Sequence, residues 1–249
     1  MTPRSPFAPR RGQAAGPDWP ARFEQRAGQT GNALLKSFYG HGTVAGDTPL
    51  EDVPFVALDL ETTGLRAETH SIVSIGLVPF TLARIHCARA RYWVLQPRRS
   101  LSRASVAIHR LTHQDLEHAP DLIEVLPLLL QALRRRVAVV HYRGIERPFL
   151  ERAVRDRLGE GLEFPVVDTM DLEARVHRQG GRGYFSRLWA RVSGKQPVSL
   201  RLAQSRQRYG LPRYGAHHAL TDALASAELL QAQVAWRASP DLPIRAIWR

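Results

Sequence analysis

A chain of 249 residues, 44% of them hydrophobic, can bury one substantial core and is too apolar to be a disordered protein. Its formal charge is +12, and all but two of its 35 basic residues are arginines, the exceptions being Lys36 and Lys195. That balance favours an anionic partner, nucleic acid first, because guanidinium groups suit phosphate, although a GC-rich genome inflates arginine in the same way. The lone cysteine, Cys87, excludes an internal disulfide and predicts a reduced, cytoplasmic protein, with Cys87 a small buried residue in a strand. No apolar run approaches the ~18 residues of a membrane helix, and the N-terminus lacks the apolar centre of a signal peptide, so no membrane partner is expected.

In chain order, residues 1–52 read as a basic extension. Met1 to about Ala21 is an Arg/Pro/Gly/Ala arm without periodicity, expected to be disordered. A weak helical pattern over Arg22–Tyr39 comes next, then a Gly/Asp/Pro linker to Asp52. The extension either tracks phosphates or packs on the adjoining domain. That domain, over 53–236, opens with Phe55-Val56-Ala57-Leu58, a short buried strand. His70–Leu82 and Ile85–Leu95 read as two further strands in an antiparallel meander. Leu122–Leu133 has helical spacing, and Arg134-Arg135-Arg136 suits the last turn of that helix as a solvated end. Val137–Val140 and Phe164–Val167 are short buried strands, the first leading into a helix that carries Phe149, Leu150 and Val154. The glycine-rich stretch 179–184 lacks the strand-loop-helix setting of a phosphate cradle. Helices are predicted over Ser199–Tyr209 and from about Ala216 to Trp236, with 237–249 left as a short tail. A meander and then strand-helix alternation predict an α/β mixed sheet covered by helices, with its site at the carboxyl ends of strands.

Chemistry enters at Asp59 and Glu61. Side chains alternate along a strand, so these two acids share a face. Two adjacent carboxylates repel unless a divalent cation lies between them, and hard oxygen ligands suit Mg²⁺ or Mn²⁺. The competing interpretation is a solvated turn, since Asp, Thr and Gly are turn residues. Further acids fall at element ends, namely Glu146 after a buried strand and Asp222 early in the last helix. His217 lies five residues before Asp222, about 140° away on a helix, so it is placed just before that helix, leaning over the site.

These residues carry a family resemblance. Asp59-Leu60-Glu61-Thr62-Thr63-Gly64 resembles the first motif of the DnaQ-like (DEDDh) 3′→5′ exonucleases. Ile108-His109-Arg110-Leu111-Thr112 is similar to the stretch after their third strand, and His141 to Leu150 resembles their second motif. The segment Ala216-His217-His218-Ala219-Leu220-Thr221-Asp222 resembles the third motif, with the order preserved over about Val53–Val234. The proofreading epsilon subunits of bacterial polymerase III and their stand-alone homologues are the part of the family it looks most like. The second motif departs from the pattern, with Tyr142 where Asn is usual and Glu146 where Asp is usual.

The resemblance implies an RNase H-like fold and a two-metal hydrolysis of the 3′-terminal phosphodiester of single-stranded DNA, releasing 5′-mononucleotides in proofreading, repair or end processing. It makes Asp59, Glu61, Glu146 and Asp222 ligands of two divalent cations, Mg²⁺ or Mn²⁺, and His217 the general base. Thr62, Thr63, Leu65 and His109 would touch the substrate. The implied partners are single-stranded DNA 3′ ends and DNA polymerase subunits, in a bacterial cytoplasm. The alternatives are an exoribonuclease of the same fold and a catalytically silent nucleic-acid-binding module. His141 is expected to be a structural hydrogen-bonder and Asp168 a cap before Thr169. Tyr142 and Trp189 are expected to be packing aromatics ahead of base-stacking ones.

Overall fold

A computed structural model describes residues 6–7, 16–98, 111–180, 198–215 and 217–249, with the backbone alone for His113 and 178–180. His109, Trp189, Ala216 and most of the arm up to residue 15 lie outside the described residues.

Five strands form one mixed sheet in the order β3-β2-β1-β4-β5. β1 (Phe55–Thr62) is central, and its burial reflects this: four buried residues run into the half-buried Asp59 and Glu61. It pairs antiparallel with β2 (Ile72–Phe80), which pairs antiparallel with β3 (Arg91–Val94). On its other side β1 runs parallel to β4 (Val137–Val140), and β4 parallel to β5 (Val166–Asp168). The expected meander with parallel strands is therefore present. The last strand of the meander is shorter than predicted, because Cys87–Arg89 is a 3₁₀ turn rather than strand, and Cys87 is exposed rather than buried.

The helices begin at their caps. α1 (Trp19–Gln29) starts where Asp18 accepts from Ala21 N–H, and α2 (Ala33–Gly40) where Asn32 accepts from Leu34 and Leu35 N–H. The single weak helix predicted over 22–39 is thus two, broken by the Thr30-Gly31-Asn32 cap, and it begins inside the stretch expected to be disordered. α3 (His113–Glu117) and α4 (Leu122–Leu133) both open on capping boxes, at Thr112 with Asp115 and at Asp121 with Glu124. Arg134 is already the cap beyond α4, so the arginine run comes after the helix instead of ending it. α5 (Arg143–Leu158) succeeds β4, α6 (Thr169–Gly180) succeeds β5 and has no counterpart in the sequence prediction, and α7 spans Leu202–Arg208. α8 (Ala219–Arg237) packs across β1 and β2. No helix among the described residues is long and apolar enough to cross a membrane.

Both flanks pack on the domain. Phe23, Phe38 and Tyr39 of α1 and α2 form an aromatic cluster, and the Tyr39 hydroxyl accepts from Glu163 N–H at 2.9 Å. At the other end, Arg249 N–H donates to Val166 O at 2.8 Å and Val166 N–H donates to Arg249 O at 3.2 Å. The terminal residues therefore cover the outer edge of β5, where unpaired backbone groups would otherwise face solvent. Ile244, Ile247 and Trp248 are buried in the same core cluster as β1, so 237–249 is packed structure rather than a free tail.

Candidate active site

The parallel strands place the carboxyl ends of β1, β4 and β5 on one edge of the sheet, where the acids collect. Asp59 and Glu61 arrive on β1. Glu146 enters from the first turn of α5 and is buried, only 3% exposed. Asp222 comes from the first turn of α8.

A cross-strand row seats the start of α8. Asp59 pairs with Gly76, and Gly76 with Tyr92, so the three share a face of the sheet. The Ala219 carbonyl lies over Gly76, where a Cβ would come within 2.3 Å of it. The Tyr92 ring stacks on His218, centroids 4.6 Å apart. The glycine lets the helix start sit directly on the sheet, and Tyr92 holds the residue next to His217. A glycine inside a strand pattern is a sequence signal for such close approach, which motif matching passes over.

His217 precedes α8, as its spacing predicted. It adopts φ 67°, and its N–H donates to Asp222 Oδ2 at 2.9 Å. Ligand atoms of Glu61, His217 and Asp222 all lie within 4.8 Å of one another. Asp59 and Glu146 fall outside that triplet but share its electrostatics. Burial drives the Asp59 carboxyl well above the usual range, and the charges of Glu146, Asp222 and Glu61 push it further. Burial and then Asp222 raise Glu61 to about 7. Burial and the Asp168 charge raise Glu146 to about 8, against the pull of its own N–H. Asp222 is raised by burial although the His217 and His218 N–H groups and charges oppose this.

None of the four acids is paired with a cationic side chain among the described residues, and Glu146 Oε2 is buried without a hydrogen-bond partner. Crowded carboxylates with little solvent around them are a donor set for hard divalent cations, and an orphaned, buried carboxylate oxygen fits the same role. The residues present fit the ions that the motifs imply.

The neighbouring positions divide. Leu65 is 81% exposed and lines the cleft beside the acids. The two threonine hydroxyls expected to face substrate are used inside the turn. Thr62 Oγ1 donates to Gly64 O at 2.6 Å, and the buried Thr63 Oγ1 accepts from Ser71 N–H at 3.0 Å. His141 is a structural hydrogen-bonder. Its Nε2 donates to Leu200 O at 2.8 Å, its Nδ1 lies 2.8 Å from Thr169 Oγ1, and burial lowers its pKa. Asp168 does more than cap α6 through Met170 and Asp171 N–H, because it also accepts from Tyr142 and Arg143 N–H at the start of α5. One carboxylate thus ties together the two helices that succeed β4 and β5. Tyr142, expected to pack, is 51% exposed and lines the cleft.

The cleft holds about 930 Å³ and runs from Leu65, Tyr142, His217 and Asp222 to α7 and the segment 211–214, where Arg201, Arg213 and Tyr214 line it. Those three residues carry no motif, which is why the sequence did not flag them.

Compared with families of known proteins, residues 56–230 match the RNase T exonuclease family. The chain belongs to the DnaQ-like 3′→5′ exonuclease family. It is 29% identical over 189 residues to a DNA polymerase III epsilon subunit of Treponema pallidum, covering 76% of this chain and 80% of that one. It is 28% identical over 183 residues to a PolC-type DNA polymerase III of Thermotoga petrophila, covering 74% of this chain but only 12% of that much longer protein. Among solved structures, the nuclease domain of 3′hExo, a DEDDh family member bound to rAMP, superposes with a TM-score of 0.57 at 14% identity, covering 73% of this exonuclease-family chain and 92% of that one. Exonuclease X in complex with 5′ overhanging duplex DNA gives a TM-score of 0.52 at 22% identity, with the same coverage of 73% and 92%. These likenesses support the RNase H-like fold.

Proposed function

We propose that this exonuclease depends on divalent metal and removes 5′-mononucleotides from the 3′ ends of single-stranded DNA, in proofreading, repair or end processing. The observation that carries the proposal is the meeting of Glu61, His217 and Asp222, with the Asp59 and Glu146 carboxyls coupled to them, at one end of a cleft that Arg201 and Arg213 line. Asp59, Glu61, Asp222 and Glu146 would hold the ions, Glu146 with one extra methylene of reach compared with aspartate. When bound, Mg²⁺ or Mn²⁺ ions at such a site activate water and stabilise the leaving oxygen of the displacement.

The chain's own residues do the rest. A ring nitrogen of His217 accepts the proton from the attacking water as its oxygen bonds to phosphorus. The bond from phosphorus to the 3′ oxygen breaks, and that oxygen, now the end of the shortened strand, takes a proton from solvent. The hydrogen bond from His217 N–H to Asp222 holds the base next to the acids. Leu65 stands at the mouth against the last base, and Thr62 and Thr63 act by bracing the turn that carries it. The exonuclease unit would comprise 53–236, with 1–52 as an N-terminal extension and 237–249 as a C-terminal flank, in the bacterial cytoplasm. Similarity to an epsilon subunit supports association with a polymerase.

The test is product analysis on 5′-labelled single strands of DNA and RNA with Mg²⁺, Mn²⁺ or EDTA. The expected result is stepwise shortening and mononucleotide release with metal, none with EDTA, and faster release from DNA. His217→Ala should lower the rate at least about 100-fold while the protein stays folded. Release in EDTA, or an unchanged rate in purified His217→Ala, would remove the basis of this mechanism.

A further inference from the structure

Three non-glycine residues among those described have a positive φ: Arg135 at 54°, Tyr142 at 95° and His217 at 67°. Arg135 lies just past the end of α4, where a left-handed residue commonly closes a helix. Tyr142 and His217 both line the cleft. For a bulky side chain this backbone region is strained, and such strain persists only where the surroundings enforce it. At Tyr142 the enforcing contact is its N–H to Asp168 Oδ1, 3.1 Å.

Packing does not account for a tyrosine there. Its ring is half exposed, and its hydroxyl has no hydrogen bond among the described residues. The ring's outer edge rests over Gly144, where a Cβ would come within 2.8 Å of Cζ, so a glycine makes room for it. Elsewhere in the same cleft Arg201 and Arg213 are exposed and make no ion pair among the described residues. An open aromatic ring and unpaired guanidiniums lining one cleft form the usual combination for holding a single strand, with stacking for bases and charge for phosphates.

We propose that Tyr142 is the stacking platform for a nucleobase upstream of the scissile phosphodiester, and that Arg201 and Arg213 meet the backbone phosphates leading away from it. The cleft is then a track for an unpaired strand several nucleotides long. This deepens the exonuclease proposal and rests on it. A base must leave its duplex partner to lie on the ring, so the track selects unpaired 3′ ends over paired ones.

The full chain with Mn²⁺ is assayed on a 5′-labelled decanucleotide and on a dinucleotide of deoxyribose type, beside Tyr142→Asn, Tyr142→Phe and the double variant Arg201→Ala/Arg213→Ala. Asparagine tolerates a positive φ but offers no ring. Tyr142→Asn should raise KM for the decanucleotide about tenfold. It should also raise Tm by about 2–4 °C as strain is relieved. Tyr142→Phe should recover the KM. The double variant should flatten the log–log salt dependence of binding by about 1.4, near 0.7 per lost phosphate contact on a single strand. A packing residue would give the opposite pattern, with lower Tm and unchanged KM in Tyr142→Asn, and that result overturns the proposal. If the wild type releases no mononucleotide from either substrate, the nuclease proposal has failed, and equilibrium binding of a fluorescent decanucleotide decides the track. Tenfold weaker binding by Tyr142→Asn supports it, and equal affinity overturns it.

Discussion

Replacing Gly76 by alanine places one methyl group between β2 and the start of α8. Its nearest neighbours would be Ala219 C and O at 2.3 Å and Leu220 N at 2.4 Å. Carbon contacts settle near 3.5 Å, so about 1.2 Å of separation must be found. The obstructing atoms are backbone, so no rotamer change relieves the clash. The first turn of α8 has to lift, and it carries Asp222 with His217 just before it, while Asp59 stays paired opposite residue 76. Overpacking of this size costs about 1–3 kcal/mol, a Tm loss of about 2–12 °C at this length. Misplacing reacting groups by about 1 Å costs on the order of 100-fold in rate. Thermal melts monitored by circular dichroism and kcat/KM for mononucleotide release measure the two effects. Gly28→Ala, on α1 with nothing within 4 Å of its Cβ, is the control and should stabilise by about 0.5–1 kcal/mol. Wild-type melting and turnover in Gly76→Ala would refute the claim that the helix start is seated on that glycine.

The acids supply two more tests. Glu146→Gln removes a buried charge from the carboxylate cluster. In metal-free protein at pH 8 it should melt about 2–4 °C above wild type, while mononucleotide release falls at least about 100-fold; lower melting would mean that the Glu146 charge is compensated. Asp121 caps α4 and receives Arg157 Nη2 at 2.7 Å and Arg98 Nε at 3.1 Å. Burial alone would raise its pKa, but Arg157, the Ile123 N–H and Arg98 together hold it at about 2. A depressed carboxylate stabilises the fold above its ordinary pKa near 4, and that contribution is lost as pH falls through about 2. Urea melts should therefore show wild type losing stability between pH 4 and pH 2, with Asp121→Asn weaker at pH 6 and flatter below pH 4; parallel curves would exclude the pairing.

The parts legible in sequence were those set by local periodicity and by motif spacing. The run into Asp59 and Glu61 fixed the central strand and put both acids on one face, because strand alternation needs no tertiary context. The five-residue gap from His217 to Asp222 placed the histidine before α8, because helical geometry denies the two a shared face. Helix α6 was not legible, since its acids and arginines satisfy one another through contacts such as Arg175 with Asp171 at 2.9 Å and leave little apolar pattern. The packed C-terminus was missed for a related reason. Trp248 and Ile247 are buried by an edge strand far away in sequence, and no local pattern reports that.

By itself the sequence determined the acids, the candidate base, the order of the motifs and a mixed sheet, all of which depend on residue type and spacing along the chain. Only the tertiary structure decided that Gly76 seats α8, that the Thr62 and Thr63 hydroxyls turn inward, that Asp168 ties two helices together, and that Tyr142 faces the cleft. Each of these depends on which backbone comes within a few ångströms of which side chain, a distance set when separate elements close on one core.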